Sequence, residues 1–161
     1  MLLHICRWLQ DNSLISVING TAWTAAAAEI VHYFSMFVLV GSMVIVDLRV
    51  LGLVGRRQDA SQLAARLFPW IWVSLALNFL SGFLMFAGSA TAYYRNDIFY
   101  DKMGVILLAI VVNLVVQQKV RTWDQLPAMP AWAKFMAVLS IGLWVGAIIA
   151  GVEVPALTGV G

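Results

Sequence analysis

Residues 25–53 read AAAAEIVHYFSMFVLVGSMVIVDLRVLGL, an apolar stretch longer than the ~20 helical residues that cross a hydrocarbon core of about 30 Å. Three further apolar stretches follow, at about 69–88, 102–120 and 131–152. Lipid does not satisfy unpaired backbone groups, so each stretch is predicted to be a helix. The sequence therefore predicts an all-α integral membrane protein, a four-helix bundle that forms a single domain over residues 1–161.

The composition supports a membrane protein and excludes several other classes. Hydrophobic residues make up 62% of the chain and charged residues 11%, whereas soluble domains carry about 25% charge. The net charge of +2 is small and scattered, so we expect no nucleic-acid partner. Cys6 is the only cysteine in the sequence, which excludes an intrachain disulfide and a cysteine metal cluster.

The N-terminal segment 1–20 is too polar to cross a membrane. Four of its apolar residues recur at helical spacing: Leu2, Ile5, Cys6 and Leu9. This pattern predicts an interfacial helix that lies on the periplasmic face.

The basic residues give an expected orientation. Seven of them flank the first and third connections: Arg49, Arg56, Arg57, Arg66, Lys119, Arg121 and Lys134. The other side has three: Arg7, Arg95 and Lys102. By the positive-inside rule both termini lie outside the cytoplasm, which places them in the periplasm if the protein lies in a bacterial inner membrane.

Two residues suggest where helices begin. Pro69 is expected in the first turn of the second span, where its missing N–H costs nothing. Asp101 is expected to cap the third span.

One layer near the termini contains an unusual set of side chains. It comprises His32, Met36, Met85, Lys102 and Met103, with Glu29 and Arg95 at its rim. Neutral imidazole is a common metal ligand, and ionisable groups inside a membrane are functional candidates. His32 is therefore a candidate ligand of a haem iron, with Glu29 or Lys102 placed to meet a propionate or a substrate. The other reading is an interhelical hydrogen bond from His32 and methionines that only pack.

The sequence offers several candidates for a haem ligand opposite His32. Met36 is excluded because it projects from the same helix face as His32. The candidates are Met85, Met103, His4 or the His32 of a second copy. The methionines would also suit Cu(I), since thioethers are soft ligands.

Other polar residues lie deeper in the spans. Asp47 and Arg49 mark the inner end of the first span, and Asp47 is expected to meet Arg56, Arg57 or Arg66. Asn78 and Asn113 lie near mid-membrane, where interhelical hydrogen bonding is the ordinary role and a quinone or proton path is the alternative. In the fourth span, Gly142, Gly146 and Ala150 form a small-residue face for helix packing, within the bundle or in a homo-oligomer.

Several strings in the first three spans carry a family resemblance. They are Glu29-Ile-Val-His32, Asp47-Leu-Arg49-Val-Leu-Gly52-Leu, Pro69-Trp70, Ser81-Gly82-Phe-Leu-Met85 and Asp101-Lys102. The chain resembles an uncharacterised family of small four-helix bacterial inner-membrane proteins over about residues 23–122. It is more distantly similar to the HemJ-type protoporphyrinogen oxidases and the CopD-type copper-uptake proteins. In the HemJ-type pattern His32, Arg49 and Lys102 occupy comparable places, which implies haem b on His32.

Three hypotheses follow. The first is a haem-b-binding redox protein whose site lies near the periplasmic leaflet. The second is a non-catalytic accessory subunit that packs against a larger membrane complex through Gly142 and Gly146. The third is a small transporter or copper-handling protein that uses the methionines.

Overall fold

The computed structural model describes residues 2–13, 15–16, 20–55 and 57–158, and it gives side chains from Leu3 to Gly151 within these ranges. The principal helices are α1 (Leu2–Gln10), α2 (Ala22–Val50), α3 (Ala60–Gly88), α4 (Ala90–Tyr94), α5 (Asp97–Asp124) and α6 (Ala131–Thr158). The described ranges contain no strand. The predicted all-α fold is thus confirmed.

Four of these helices are long and apolar enough to cross a membrane. They are α2, α3, α5 and the Ala131–Gly151 part of α6, with mean hydropathies of 1.8, 1.7, 2.0 and 1.9. Large apolar side chains cover their outer faces, among them Phe34, Phe37, Phe79 and Leu107. Soluble proteins do not expose an apolar surface of this extent to water. The protein is therefore a multi-pass membrane protein whose outer faces contact the lipid bilayer.

The four long helices form one bundle. α2 packs along α3 and α5 packs along α6, while contacts of α2 with α6 and of α3 with α5 close the bundle. Its core contains Leu39, Met43, Ile71, Val116 and Ala137, each at most 1% exposed. At one end of the bundle α1 contacts α3 and α4. We call this end the N-terminal face: it consists of α1, the start of α2, the end of α3, α4 and the start of α5.

Helix α3 begins well before Pro69, so the expectation that Pro69 opens it is wrong. The backbone N–H groups of Ala60 and Ser61 donate to the Asp124 carboxylate, at 3.3 and 2.6 Å. This cap from the end of α5 stabilises the first turn of α3, and the buried side chain of Phe68 packs the same segment against the bundle. The helix therefore includes residues 60–68, which are too polar to be recognised as part of a span. Pro69 then lies inside the helix, as neighbouring helices in membrane bundles permit.

Helix α5 also begins earlier than expected. Asn96 caps it, accepting a hydrogen bond from the Ile98 N–H at 2.9 Å, so the expected cap at Asp101 is wrong. The short α4 was not predicted at all. It holds α1 in place, because the Thr91 hydroxyl donates to Gln10 Oε1 at 2.9 Å.

Candidate functional site

The imidazole of His32 faces α3 from α2. Its Nδ1 lies 3.1 Å from the Asn78 carbonyl oxygen and 3.2 Å from Ser81 Oγ. The Ser81 hydroxyl lies closer to the Leu77 carbonyl, at 2.7 Å, and donates there. A carbonyl oxygen only accepts hydrogen bonds, so Nδ1 carries the hydrogen and donates to Asn78. The Nε2 atom of His32 therefore has the free lone pair.

Asn78 also forms hydrogen bonds from α3 back to α2. Its Nδ2 donates to the His32 carbonyl oxygen at 2.9 Å and contacts Ser35 Oγ at 3.3 Å. The Ser35 hydroxyl donates to the same His32 carbonyl, at 2.9 Å. We call His32, Ser35, Asn78 and Ser81 the histidine cluster. Because four polar groups satisfy one another across α2 and α3, the orientation of the imidazole is fixed.

Gly82 gives the imidazole its space. A Cβ at this position would lie 3.0 Å from His32 Cε1 and 3.3 Å from Nδ1, closer than ordinary van der Waals contact. The ring therefore rests directly against the backbone of α3. Sequence reasoning did not assign roles to Ser35 or Gly82; the Ser-Gly pair at 81–82, opposite a histidine in a neighbouring span, was the signal that could have suggested one.

Lys102 lies on the same side of the bundle as His32. Its Nζ lies 3.3 Å from the position that a Cβ on Gly151 of α6 would occupy. No carboxylate among the side chains described here pairs with Lys102; Glu153 lies outside that range. A half-buried ammonium without a carboxylate partner among these side chains is suited to an anionic group.

The other members of the expected cofactor layer differ in their exposure. Glu29 is exposed on α2. Met85 and Met103 are half-buried, on α3 and α5. The structure thus places His32 beside Asn78, Ser81 and Gly82, and Lys102 beside Gly151.

A second polar group lies in the core nearer the other end of the bundle. Asp47 and Ser140 are fully buried, yet neither carboxylate oxygen of Asp47 nor the Ser140 hydroxyl has a hydrogen-bond partner among the described residues. The side-chain amide of Asn113 and the indole N–H of Trp144 are also buried and unpartnered within that range. The core therefore contains polar atoms that form no hydrogen bond within the described residues.

The expected pairing of Asp47 with Arg57 or Arg66 is therefore wrong, and Arg56 lies outside the described residues. Both arginines are exposed, Arg57 in the connection before α3 and Arg66 on the polar first part of α3. Arg49 is half-buried and donates from Nε to the Gln58 carbonyl oxygen at 2.7 Å, which fastens the turn between α2 and α3.

Comparison with protein families gives one match. Residues 8–155 match the model of a family described as a family of unknown function, DUF6644. The chain belongs to this family. The DUF6644 match includes both the histidine cluster and Lys102, and it bears out the expected membership of an uncharacterised family. No curated protein and no solved structure matches the chain.

The small-residue face of this DUF6644 protein divides into two environments. Gly142 is exposed, with no atom within 4 Å of the position of its Cβ. Gly146 faces α5, where its Cβ would meet Val105 Cγ1 at 3.9 Å, and Ala150 is half-buried. The stretch therefore begins on the outer surface of α6 and turns into the bundle.

Proposed function

We propose that this DUF6644 protein binds haem b through His32 and uses it to pass electrons or to oxidise a small lipophilic substrate. The observation that carries the proposal is the hydrogen bond from His32 Nδ1 to the Asn78 carbonyl. Histidines that bind metals ordinarily donate their other ring N–H to a carbonyl or carboxylate, which fixes the tautomer and raises the basicity of the ligating nitrogen. The Nε2 of His32 has this arrangement.

The chemistry of the surrounding residues fits the group. Gly82 leaves room for the imidazole, and Asn78 and Ser81 hold its orientation before any ligand arrives. The half-buried ammonium of Lys102 would attract a propionate carboxylate. Haem supplies one-electron chemistry, while these residues bind and orient it. Met85, Met103, His4 and the His32 of a second copy are the further residues that would hold the group.

The test is a visible spectrum of the protein purified in mild detergent and then mixed with haemin. We expect a b-type α band in the reduced-minus-oxidised spectrum, lost in His32→Ala and kept in Phe34→Ala, which changes an exposed residue on the same helix. Equal melting temperatures of the two variants would show that the loss is not due to unfolding. A wild-type protein that binds no haem, or a His32→Ala variant that binds it as well, would refute the proposal. Metal analysis of the same sample distinguishes copper bound by the methionines.

The second candidate function is that of a non-catalytic accessory subunit, which packs against a larger membrane complex or against a second copy of itself. The exposed Gly142 favours this role. An exposed glycine on α6 lets a helix of another chain approach closely. We expect Gly142→Leu to weaken co-purification with a membrane partner or with a tagged second copy. Gly104→Leu is the matched control, since Gly104 of α5 is also exposed with open space at its Cβ. Unchanged association of Gly142→Leu would count against this role.

We further propose that the protein lies in a bacterial inner membrane with both termini in the periplasm. The excess of arginine and lysine at the end of the bundle opposite the N-terminal face supports this orientation. In a Cys6→Ser background, Trp23→Cys should react with a membrane-impermeant thiol reagent in intact spheroplasts and Arg57→Cys should not. Both positions are exposed. The reverse pattern would invert the topology.

A further inference from the structure

A cavity of about 260 Å³ lies between α1 and α4 on the N-terminal face. Its lining consists of Leu3 and Arg7 from α1 together with Thr91, Ala92 and Arg95 at α4. It is separate from the histidine cluster, none of whose residues lines it. Two positive charges from different helices thus face one partly apolar space.

The two arginines are positioned by the backbone of their helices. The hydrogen bond from the Thr91 hydroxyl to Gln10 and the contacts of α1 with α4 keep Arg7 opposite Arg95. Both side chains are exposed, and within the described part of the chain neither guanidinium pairs with a carboxylate. Two unpaired guanidinium groups around one cavity repel each other, and an anion placed between them removes that repulsion.

The surroundings identify the kind of anion. Helix α1 also exposes Trp8 (67%) and Ile5 (51%), as expected of a helix whose apolar side meets the boundary between headgroups and acyl chains. A cavity at that depth is exposed to lipid headgroups. Guanidinium groups bind phosphate through paired, charge-assisted hydrogen bonds. The walls formed by Leu3 and Ala92 would contact the glycerol carbons, and the volume suffices for a headgroup but not for the acyl chains.

We propose that this cavity binds the phosphate of an anionic phospholipid headgroup, with Arg7 and Arg95 as its two ligands. A zwitterionic headgroup brings an ammonium group close to the same two positive charges, so the site discriminates in favour of lipids with net negative charge. Binding links α1 to α4 through the lipid and thereby stabilises the docking of α1.

The experiment uses the full-length protein, delipidated in detergent and titrated with phosphatidylglycerol or phosphatidylcholine in mixed micelles. Tryptophan fluorescence gives the melting temperature, and native mass spectrometry counts the lipids retained. We expect phosphatidylglycerol to raise the melting temperature of the wild type more than phosphatidylcholine does. The Arg7→Gln/Arg95→Gln variant should bind phosphatidylglycerol up to roughly thirtyfold more weakly, because each exposed guanidinium–phosphate ion pair contributes up to about 1 kcal/mol.

Two further variants separate the cavity from general charge. Arg57→Gln/Arg121→Gln removes two exposed arginines from the opposite end of the bundle and should keep the wild-type response. Ala92→Leu fills the cavity while keeping both charges, and it should also weaken binding. Equal losses in the two double variants, or equal responses to both lipids, would overturn the proposal. Stabilisation by inorganic phosphate but not by phosphatidylglycerol would overturn the assignment to lipid.

Discussion

His32 and Asn78 connect α2 to α3 by two hydrogen bonds that run in opposite directions. The imidazole Nδ1 donates to the Asn78 carbonyl oxygen at 3.1 Å, and the Asn78 amide donates to the His32 carbonyl oxygen at 2.9 Å. Each residue thus holds the backbone of the other. The arrangement agrees with both hypotheses for His32, an interhelical hydrogen bond and a metal ligand. Nδ1 forms the hydrogen bond between the helices, and Nε2 keeps the lone pair that could bind a metal.

The two membrane asparagines should respond oppositely to substitution. Asn78→Leu removes the amide bonds to His32 and Ser35, so we expect it to destabilise the bundle by about 1 kcal/mol, at roughly 0.6 kcal/mol for each interhelical bond. Asn113→Leu removes a buried amide without a partner in the described structure and should leave the bundle equally or more stable. Unfolding of both variants by SDS titration in mixed micelles measures the difference. Equal losses would show that Asn113 has a partner.

Gly82→Ala should move the imidazole of His32. The added Cβ would lie 3.0 Å from His32 Cε1, so the ring must shift or the helices must separate, a strain of about 1–3 kcal/mol. The control is Gly41→Ala on α2, where a Cβ meets nothing within 4 Å. That change should stabilise by about 0.5–1 kcal/mol through helix propensity. Melting temperatures test stability, and haemin binding tests the imidazole position; a Gly82→Ala variant that matches Gly41→Ala in both contradicts the contact.

The sequence predicts the four spans well because crossing lipid demands length and apolarity, which are properties of each segment alone. The start of α3 could not be predicted in this way. Residues 60–68 are too polar to read as a span, and their helix depends on Asp124, distant in sequence, which accepts from Ala60 and Ser61.

In the candidate site, too, the sequence identifies single residues but not the contacts between helices. His32 and Lys102 stand out as ionisable residues in apolar stretches, and the sequence identifies both. Their neighbours depend on how α2, α3 and α6 are rotated about their axes, so the sequence pattern did not assign Ser35 and Gly82 to His32 or Gly151 to Lys102. That neither Arg57 nor Arg66 pairs with Asp47 in the described structure has the same origin, since the path of the connection between α2 and α3 decides where these arginines point.

Asp124→Ala should weaken the start of α3. The carboxylate accepts from two backbone N–H groups at the positive end of that helix, an arrangement worth about 1–2 kcal/mol. Asp59→Ala is a matched control, because Asp59 occupies the cap position without bonding to the backbone through its side chain. We expect its effect to stay within about 0.5 kcal/mol. Chemical unfolding of both variants provides the comparison, and a larger loss in Asp59→Ala would reverse the assignment of the cap.

Asp47→Asn should stabilise the protein, although it alters a fully buried residue. The carboxylate has no hydrogen-bond partner of ordinary geometry and no paired arginine among the described residues, so its charge is desolvated without compensation. The neutral amide keeps the shape and removes that penalty, for an expected gain of about 1–3 kcal/mol in the free energy of unfolding. Asp101→Asn, at an exposed position of α5, controls for the change in net charge and should have little effect. SDS titration at pH 8 measures all three proteins. A loss of stability in Asp47→Asn alone would mean that the carboxylate has a compensating partner in the core.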